Sequence, residues 1–429
     1  MLHKLDPDFL ARPTLDRRGF LKVVGLSGAG FMVGCGPAEV ESPVAPEQTP
    51  GAADLNHFVR IGTDNTVTVI VKHLDKGQGV TTGLPTIVAE ELDADWSQMR
   101  HEFAPADATR YNHVFFGPFQ ITGGSSSIAN SWMQLRNAAA GARAMLVEAA
   151  ARRWQVPADA IVIEKGVLRH GDQLASFGDL AIAAAELEPP AEPALKDPAD
   201  FTLIGTRLPR LDSAAKTDGS AQFTLDVTRP GMLTAVVAHP PKFGARVAAF
   251  DAARTLDVPG VTDVVEIPRG VAVVAENLWS ALKGRDALEV QWAEDEAEQR
   301  SSDALFAEFE TAVASDDGLV AREDGNAEAT LFNAPRAISR EFHLPYLAHA
   351  TMEPMDCVVE LGPASCEIWT GSQMPTTDQM IAAEIAGLLP EQVSINTRFA
   401  GGSFGRRAVP NSDFVAEAVM TAKAIGGRA

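Results

Sequence analysis

The sequence predicts an α+β fold of mixed sheets and packed helices, and three observations support that prediction. Short stretches in which apolar residues alternate, such as "TVTVIV" at 66–71, predict β-strands. Longer stretches such as the alanine-rich 128–154 have a composition typical of helices. Strands alternate with short helices through 201–292. A chain of 429 residues, 46% hydrophobic and 22% charged, can form two to four domains with sizeable cores.

Residues 55–200 are predicted to form the first folded domain. The strand at 66–71 follows a "GTDN" turn, and "DKGQGV" leads from it into a helix with apolar residues at helical spacing over 84–92. The loop "TGGSSS" leads into the alanine-rich helix, and we expect one of its serines to cap that helix. Residues 158–187 predict two short strands joined by a "GD" turn, followed by another helix.

A stretch rich in proline, alanine and glutamate at 185–200 predicts the boundary to an α+β domain at 201–295. A third domain is predicted at 296–429. Its acidic, alanine-rich beginning is expected to be helical and exposed, and the strands "RAISREFHLP", "DCVVELGP" and "CEIWTGS" follow. The helix "TTDQMIAAEIAGLL", the strand "VSINTRF" and an amphipathic helix complete the prediction.

Residues 1–54 are predicted to be a signal and a linker. "LDRRGFLK" places Arg17 and Arg18 before a short apolar stretch, as in twin-arginine export signals, and a proline-rich linker follows. The alternative is a chance arginine pair before a buried helix. "MVGC" is similar to a lipoprotein cleavage box, which makes Cys35 a candidate lipid anchor. We therefore expect export by the twin-arginine route, to the periplasm or to the periplasmic face of the membrane.

The charge and the cysteines exclude several classes of function. A formal net charge of -21 argues against nucleic-acid binding, which needs a basic surface. The three cysteines include no CxxC pair, so this chain cannot hold a four-thiolate iron–sulfur cluster or a four-cysteine zinc ion. Cys357 and Cys366 flank a predicted hairpin, where they could be buried thiols or a disulfide.

Three glycine-rich loops contain the candidate binding residues. "DKGQGV", "TGGSSS" and "AGGSFGRR" present unhindered backbone N–H groups, and such loops can bind anions and dipolar rings or can simply be turns. None has the Rossmann or P-loop spacing, so the usual nucleotide-binding interpretations fail. The candidates are Gly77, Gln78, Gly79, Gly124, Ser125, Ser126, Ser127, Gly401, Gly402, Ser403, Gly405 and Arg406.

Together, these loops resemble those of the large, molybdopterin-binding subunit of the xanthine oxidase family of molybdenum hydroxylases. The isoquinoline 1-oxidoreductase beta branch, with its exported aldehyde dehydrogenases, is the most similar. "GGSFGRR" is similar to the family's GGxFGxK/R loop, "KGQG" to its GQG loop and "GGSSSIANSWMQLRNAAAGA" to its serine-rich loop and helix. "LPRLDSAAKTDGSAQFTLDV" resembles the start of its α/β-hammerhead domain, and "AHATMEPMDCVVEL" and "EIWTGSQMPTTDQM" resemble the run before GGxFGxK/R. The similarity covers about residues 55–427.

The resemblance implies an oxidoreductase that oxidises aldehydes or N-heterocycles by inserting oxygen derived from water. It implies molybdenum held by the dithiolene of molybdopterin, usually in the cytosine dinucleotide form. Gln373 and the amides of Phe404 and Gly405 would hydrogen-bond its ligands, and Phe404 would line the substrate pocket. Gln78 would contact the pterin or its phosphates, and Ser125–Ser127 the dinucleotide phosphates. The iron–sulfur clusters would lie on a small [2Fe–2S] partner subunit, and a cytochrome could accept electrons from it.

Less specific interpretations stay open for several residues. Phe404 could be a core ring, and Gln373 an amide that caps the end of a strand. The pair Arg406–Arg407 could neutralise phosphate or pair with neighbouring acids. His349 and Glu353 in "HATMEP" form no complete metal site by themselves, so a structural role near the cofactor fits them better. For the whole chain, the alternatives are a non-catalytic exported scaffold and a carbohydrate-binding protein, the latter disfavoured by only six Trp and two Tyr.

The sequence departs from the family pattern in two ways. The GQG and serine-rich segments precede the hammerhead region, an order typical of the isoquinoline-type branch. The family's large subunits are usually considerably longer and include a late glutamate that acts as a general base. The sequence has no counterpart of that late region, so we expect the chain alone to be catalytically incomplete, as a fragment, a truncated product or half of a split enzyme.

Overall fold

The computed structural model describes residues 51–315 and 318–427. The predicted export signal and the candidate anchor Cys35 lie outside the described residues. Within the described ranges, no helix is both long and apolar enough to cross a membrane. The described chain folds into several small sheets with packed helices, and the α+β prediction is thereby confirmed.

The first sheet positions the "DKGQGV" loop. Its strands, in spatial order, are β1 (Ala52–Asp54), β2 (Val59–Gly62), β3 (Val67–Val71) and β4 (Met99–Phe103). The first three strands pair antiparallel, whereas β3 and β4 are parallel. Parallel neighbours need a crossover, and helix α1 (Val80–Leu92) provides it. The loop therefore lies between the carboxyl end of β3 and the start of α1.

The long alanine-rich helix packs along α1 in the same direction. The helices that follow β4 are α2 (Ala108–Tyr111), α3 (Ser127–Trp154) and α4 (Phe177–Ala185). Gly83 of α1 lies against Ile128 of α3, and further along both helices Glu91 pairs with Arg136, so α1 and α3 are parallel. A side chain at Gly83 would meet Ile128 Cδ1 at 3.0 Å, so the glycine lets the two helices lie close together. The many alanines of α3 have the same effect, since small buried residues let helices approach closely.

In the sequence, a three-stranded antiparallel sheet follows α3 and precedes α4. Its strands are β5 (Val162–Glu164), β6 (Val167–His170) and β7 (Gln173–Ser176). The prediction of two strands was wrong, because a further hairpin turns at Lys165 and Gly166. Both of these residues have positive φ, as a type I′ turn requires. Lysine is not among the usual residues at the first of these positions, so no hairpin signal was visible there in the sequence.

Residues 201–295 contain two antiparallel sheets and three short helices. The strands are β8 (Thr234–Ala238), β9 (Arg246–Asp251), β10 (Val261–Ile267), β11 (Gly270–Ala275) and β12 (Glu289–Ala293), and the helices are α5 (Ser213–Asp218), α6 (Ala253–Leu256) and α7 (Leu278–Ala287). One sheet has the order β10-β11-β8, and β9 pairs with β12. Every residue of β11 is buried, which explains its uninterrupted sequence "GVAVVA". The domain boundaries and the hammerhead assignment remain predictions.

The segment around residues 296–352 is largely exposed. It contains helices α8 (Ser302–Val313) and α9 (Ala327–Asn333), as its acidic, alanine-rich composition indicated. The strand predicted at "RAISREFHLP" was wrong, since residues 336–345 form no strand. A strand needs a partner for its backbone N–H and C=O groups, and the described chain offers none at this place.

The final part of the chain has its own small sheet and core. Its elements are β13 (Val358–Leu361), β14 (Cys366–Thr370), α10 (Pro375–Ala386), β15 (Val393–Thr397) and α11 (Asp413–Ala424). β14 pairs antiparallel with β13 and parallel with β15, and α10 is the crossover. α10 and α11 bury Ala383 and Val415 in a core with Ile368. Cys357 and Cys366 are free thiols, so the disulfide alternative was wrong.

Candidate functional site

Three loops that are far apart in the sequence meet in the structure. They are the glycine loop (residues 74–79), the serine loop (residues 122–127) and the FG loop (residues 400–407). The glycine loop follows β3 and the FG loop follows β15, and each of these strands has a parallel neighbour. Ligands commonly bind beyond the carboxyl ends of parallel strands. The meeting point of the loops is therefore the candidate site.

Hydrogen bonds donated by backbone amides join the three loops. The Leu74 amide donates to the Thr122 hydroxyl at 2.9 Å, which joins the glycine loop to the serine loop. The Ala400 amide donates to the Asp75 carbonyl at 3.1 Å, which joins the FG loop to the glycine loop. The Thr122 amide donates to the carbonyl of Gln373 at 2.8 Å. All three predicted loops thus belong to one hydrogen-bonded assembly.

Buried Asp75 holds the shape of the glycine loop. Its carboxylate accepts from the Gly77 amide at 2.9 Å and from the Thr81 hydroxyl at 2.9 Å. Burial opposes ionisation, but these bonds and the Lys216 ammonium outweigh it and hold the pKa of Asp75 below its usual value. Gly77 is left-handed with φ +108°, a conformation that glycine adopts without strain. Gln78 is exposed, and its amide bridges the Leu74 carbonyl and the Lys76 amide within its own loop.

The serine loop leaves the start of α3 without a side-chain cap. Ser126 occupies the cap position, but its hydroxyl donates to the Gly123 carbonyl at 2.7 Å and lies 2.7 Å from His113 Nε2. The prediction that a serine caps α3 was therefore wrong, because His113 and Gly123 use the buried hydroxyl instead. Gly124 and Ser125 are exposed. The first amides of α3 keep their hydrogen-bonding capacity.

Two helix starts and Arg210 bring positive charge to one side of the site, although the Asp75 carboxylate accepts from the Thr81 amide at the start of α1. Because α1 and α3 are parallel and begin at two of the loops, the positive ends of both helix dipoles face the same region. Arg210, which the sequence analysis did not single out, donates to the Gly77 carbonyl at 3.2 Å and lies along the face of Gly79. Asp212 balances part of its charge at 2.6 Å. This arrangement fits an anionic ligand.

Gln373 links the serine loop to the FG loop through its side chain. It is 1% exposed, and its Nε2 donates to the Thr122 carbonyl. Its Oε1 accepts from the Ser403 hydroxyl, which in turn accepts from the amides of Gly405 and Arg407, each at 3.2 Å. The Gln373 amide therefore also bonds a backbone carbonyl, as the alternative interpretation of this residue expected. The second N–H of the Gln373 amide has no acceptor among the described residues.

The FG loop presents Phe404 outward. Its ring is 71% exposed, so the alternative of a core ring was wrong. Phe404 has φ +55°, a left-handed conformation that is costly for a bulky residue and that marks functional loops. Gly402 and Gly405 on either side also have positive φ, and a side chain at Gly405 would meet no atom within 4 Å. The loop therefore borders open space on the side where a ligand would lie.

Buried charges support the FG loop from below. Arg407 is fully buried and donates to the Glu353 carboxylate at 2.7 Å and to the Gly402 carbonyl at 3.0 Å. Glu353 also accepts from the Gly401 amide at 2.7 Å. The arginine pair was expected either to neutralise phosphate or to pair with neighbouring acids, and the structure shows pairing with acids. Arg406 forms a bidentate ion pair with Asp413 at 2.7 and 2.9 Å. A contact of Arg406 with a cofactor stays a prediction.

A methyl group at Gly401 is expected to disturb this support. An added Cβ would lie 2.5 Å from Glu353 Cβ, which is too close for both atoms to stay in place, and 3.2 Å from Glu353 N, which is a tight contact. We expect Gly401→Ala to lower the free energy of unfolding by about 1–3 kcal/mol, measured by chemical denaturation. At Gly123 in the serine loop, a Cβ would meet only Ile121 at 3.9 Å. The control Gly123→Ala should change stability by less than about 0.5 kcal/mol, and equal losses would contradict the steric argument.

Asp356 makes a testable contribution to the pH dependence of stability. Burial and the nearby Glu353 carboxylate raise its pKa to about 7, although Arg407 opposes the shift. The folded chain keeps this proton where the unfolded chain has lost it, so stability falls as pH rises from about 4 to about 7. Asn cannot ionise. Asp356→Asn should therefore gain stability relative to the unmodified chain across that window, by up to about 1.4 kcal/mol per pH unit.

The measurement is the free energy of unfolding of both chains at several pH values. Glu384→Gln, an exposed carboxylate change on α10, is the matched control and should leave the pH dependence unchanged. The buried Asp378, whose pKa burial raises to about 6, is present in every variant and cancels. Parallel curves for Asp356→Asn and the unmodified chain would show that Asp356 is ionised throughout.

Sequence reasoning missed the buried polar residues behind the loops. His73 belongs to no motif, and Thr122 begins "TGGSSS" without having been a candidate itself; the partners of both residues are distant in the sequence. Asp75 did have a local signal, because an aspartate two residues before a glycine often accepts from its amide in an Asx turn. Lys72 is buried, and its ammonium donates to three neutral oxygens, those of Asn112, Asn130 and Gln134. Burial lowers the pKa of Lys72 to about 8.

Comparisons with known proteins support the family resemblance that these loops indicated. Models of the molybdopterin cofactor-binding domain match residues 8–230 and 311–428. The beta chain of isoquinoline 1-oxidoreductase from Brevundimonas diminuta is 31% identical over 96% of this chain. A membrane-bound aldehyde dehydrogenase of Gluconacetobacter polyoxogenes, whose name specifies pyrroloquinoline-quinone, is 28% identical over 97% of it. A nicotinate dehydrogenase subunit from Pseudomonas putida is 29% identical over 89% of it.

The chain spans only part of these relatives, 58%, 55% and 32% of their lengths respectively. Among solved structures, an aldehyde oxidoreductase from Desulfovibrio gigas aligns with a TM-score of 0.40 at 18% identity, covering 58% of this chain and 33% of that one. Quinoline 2-oxidoreductase from Pseudomonas putida 86 aligns with a TM-score of 0.39 at 16% identity, covering 50% and 33%.

The two matched regions contain all three loops of the candidate site. The first region alone, residues 8–230, includes just over half of the 429 residues. The chain therefore belongs to the molybdopterin cofactor-binding family that the glycine, serine and FG loops predicted.

Proposed function

We propose that this chain is the molybdopterin-binding part of an exported molybdenum hydroxylase that oxidises aldehydes or N-heterocycles with oxygen derived from water. The observation that carries the proposal is the meeting of the glycine, serine and FG loops, held together at Asp75, Thr122 and Gln373. A scaffold that had lost its ligand would have no need to keep left-handed, exposed glycines beside the uncapped start of α3.

The residues of the site fit an anionic, extended cofactor. Side chains added at Gly77 and Gly405 would meet no atom within 4 Å, so both loops border open space that a cofactor can fill. The amides at the start of α3 and the Arg210 guanidinium would hold phosphates, including those of a cytosine dinucleotide, and exposed Gln78 would contact the pterin. When bound, the molybdenum–pterin group supplies a centre that accepts two electrons from the substrate.

The chain's own residues would then orient and shield the reaction. The free N–H of Gln373 and the Phe404 amide, which has no acceptor among the described residues, would donate hydrogen bonds to ligands of the metal. The Gly405 amide, expected to do the same, instead donates to the Ser403 hydroxyl at 3.2 Å. The Phe404 ring would cover the substrate and exclude water. The substrate class follows from the reacting carbon, which must be electron-poor. Aldehydes and N-heterocycles both have such a carbon, and the names of the relatives include both types.

We further infer that another polypeptide segment covers the exposed apolar surface of this chain. Large apolar side chains cluster on the segment 331–352, and soluble proteins rarely expose so many together. They are Leu331, Phe332, Ile338, Phe342, Leu344, Tyr346, Leu347 and Met352. The backbone of 336–345 also lacks a strand partner. The cover would supply the general base, and electrons would leave through a [2Fe–2S] partner subunit and, beyond it, a cytochrome.

Metal and cofactor analysis tests the proposed function. The full chain is expressed in a molybdenum-replete bacterial host, and we expect molybdenum in the purified protein and cytidine phosphate released on denaturation. Arg210→Gln should lower the molybdenum content, whereas the exposed neighbour Arg207, changed to Gln, should not. A metal-free protein would contradict the proposal, and a bound quinone would favour the cofactor in the name of the Gluconacetobacter relative.

Activity tests the need for a further segment. We expect the chain alone to show no dye-linked oxidation of aldehydes, even when it contains molybdenum. Robust turnover by the purified chain without any added polypeptide would refute that expectation.

The export route and the anchor are tested separately. Cleavage of the leader would support export, and labelling of Cys35 with a fatty acid would support lipidation. A Cys35→Ser variant that stays on the membrane would exclude lipidation as the anchor.

A further inference from the structure

Thr122 uses all of its polar groups where the loops meet. It is 4% exposed, and its amide donates to the Gln373 carbonyl at 2.8 Å. Its carbonyl accepts from the side-chain Nε2 of Gln373. Its hydroxyl accepts from the Leu74 amide at 2.9 Å. One buried threonine thus joins the serine loop to the glycine loop through its side chain and to Gln373 through its backbone.

A buried polar chain lies behind the Thr122 hydroxyl and reaches it through a contact of 3.4 Å. Lys72 Nζ donates to Asn130 Oδ1 at 3.0 Å, which leaves the Asn130 Nδ2 group to donate to His73 Nε2 at 2.6 Å. His73 then has its proton on Nδ1, which faces the Thr122 hydroxyl at 3.4 Å. Burial, with a smaller contribution from the charges of Lys72 and His113, lowers the pKa of His73 to about 3, so the ring is neutral.

Gln373 receives its orientation from this arrangement. One N–H of its amide donates to the Thr122 carbonyl, and its oxygen accepts from the Ser403 hydroxyl. The amide plane is therefore fixed at both ends, and the direction of the remaining N–H follows. If Thr122 moves relative to the glycine loop, that N–H moves with it, and so does the FG loop behind Ser403.

We propose that Thr122 is a positioning residue of the cofactor site: its hydroxyl sets the direction of the free Gln373 N–H and the position of the FG loop. The proposal rests on the proposed function, under which that N–H would donate to a ligand of the cofactor. The coupling between the loops, however, exists in the chain without any cofactor and can be measured there. Thr122 acts through Gln373 and needs no contact with the substrate.

Amide hydrogen exchange of the full chain tests the coupling. Thr122→Val removes the hydroxyl and keeps the shape, while Thr122→Ser keeps the hydroxyl. We expect exchange in peptides covering 399–409 to become about tenfold faster in Thr122→Val and to stay near that of the unmodified chain in Thr122→Ser. The matched control is Thr421→Val, since Thr421 is also buried but its hydroxyl bonds within α11 to Glu417. Its FG-loop exchange should not change.

Two outcomes would overturn the positioning role. Unchanged FG-loop exchange in Thr122→Val would show that the hydroxyl does not couple the loops, and equal acceleration in Thr421→Val would show only general destabilisation. In molybdenum-loaded chain, the Mo(V) electron paramagnetic resonance signal should shift in Thr122→Val and be restored in Thr122→Ser. Exchange could accelerate in Thr122→Val while no preparation, including that of the unmodified chain, contains molybdenum. That result would refute the proposed function and leave Thr122 with a role in loop coupling alone.

Discussion

Replacing Arg407 by methionine is expected to lower the free energy of unfolding by about 3–5 kcal/mol. The guanidinium is fully buried and is the cation shared by two carboxylates, Glu353 at 2.7 Å and Asp356 at 3.5 Å. It also donates to the Gly402 carbonyl at 3.0 Å. Methionine fills much of the same volume but leaves both acids buried without a counter-charge. Denaturant unfolding of the two chains measures the difference.

The neighbouring arginine is the matched control. Arg406 lies one residue earlier, is 32% exposed and pairs with Asp413, which keeps Arg269 within 3.5 Å. Arg406→Met should therefore cost about 1 kcal/mol or less. The double variant Glu353→Gln with Arg407→Met removes one of the unpaired charges and should recover at least about 1 kcal/mol relative to Arg407→Met. Equal losses for the two arginines, or no recovery, would mean that burial of the charges does not determine stability here.

The pH dependence of the Arg407→Met loss gives a second check. Without the cation, Asp356, whose pKa already lies at about 7, binds its proton more tightly. A protonated carboxyl costs far less to bury than an ionised one. The loss should therefore be smaller at about pH 5 than at about pH 8. A loss that does not vary with pH would indicate that packing alone, and not charge, accounts for the destabilisation.

Local patterns predicted the elements that depend on local chemistry. The alternation of "TVTVIV" predicted β3, and the alanine-rich composition predicted α3, whose small residues pack against α1. The strand expected at "RAISREFHLP" failed for a physical reason: alternation supplies a pattern, but a strand forms only where a second strand accepts its hydrogen bonds. The third strand β5 was missed because its turn uses Lys165 with positive φ.

The same distinction holds for the candidate site. Glycines such as Gly77 and Gly402 are visible in the sequence because few other residues adopt their conformations. Thr122 and Arg210 are not visible, because their importance comes from partners distant in the chain. Ser126 shows the limit of local rules, since it has the residue type and position of a cap, yet His113 engages its hydroxyl. Motifs identify the loops, but tertiary contacts decide what each side chain does.

Replacing Gln373 by leucine is the second change with a large expected effect. Leucine has a similar size but cannot bond, so the Thr122 carbonyl and the Ser403 hydroxyl lose their partner in a buried place. Leaving such groups unsatisfied costs about 1–3 kcal/mol each, and we expect a total loss of about 2–4 kcal/mol. We also expect the molybdenum content of the purified chain to fall strongly, because the serine and FG loops are no longer joined and the free N–H is gone.

Gln379 provides the comparison that separates the two effects. Its amide, on α10, donates to the Val393 carbonyl at 2.9 Å and lies outside the three loops. Gln379→Leu should cost about 1 kcal/mol and leave the molybdenum content unchanged. Gln373→Leu should reduce the content even under conditions where both variants are fully folded, because under the proposed function the amide would donate to a ligand as well as joining the loops. If the content followed stability alone in both variants, Gln373 would be a structural amide and the site would need another donor.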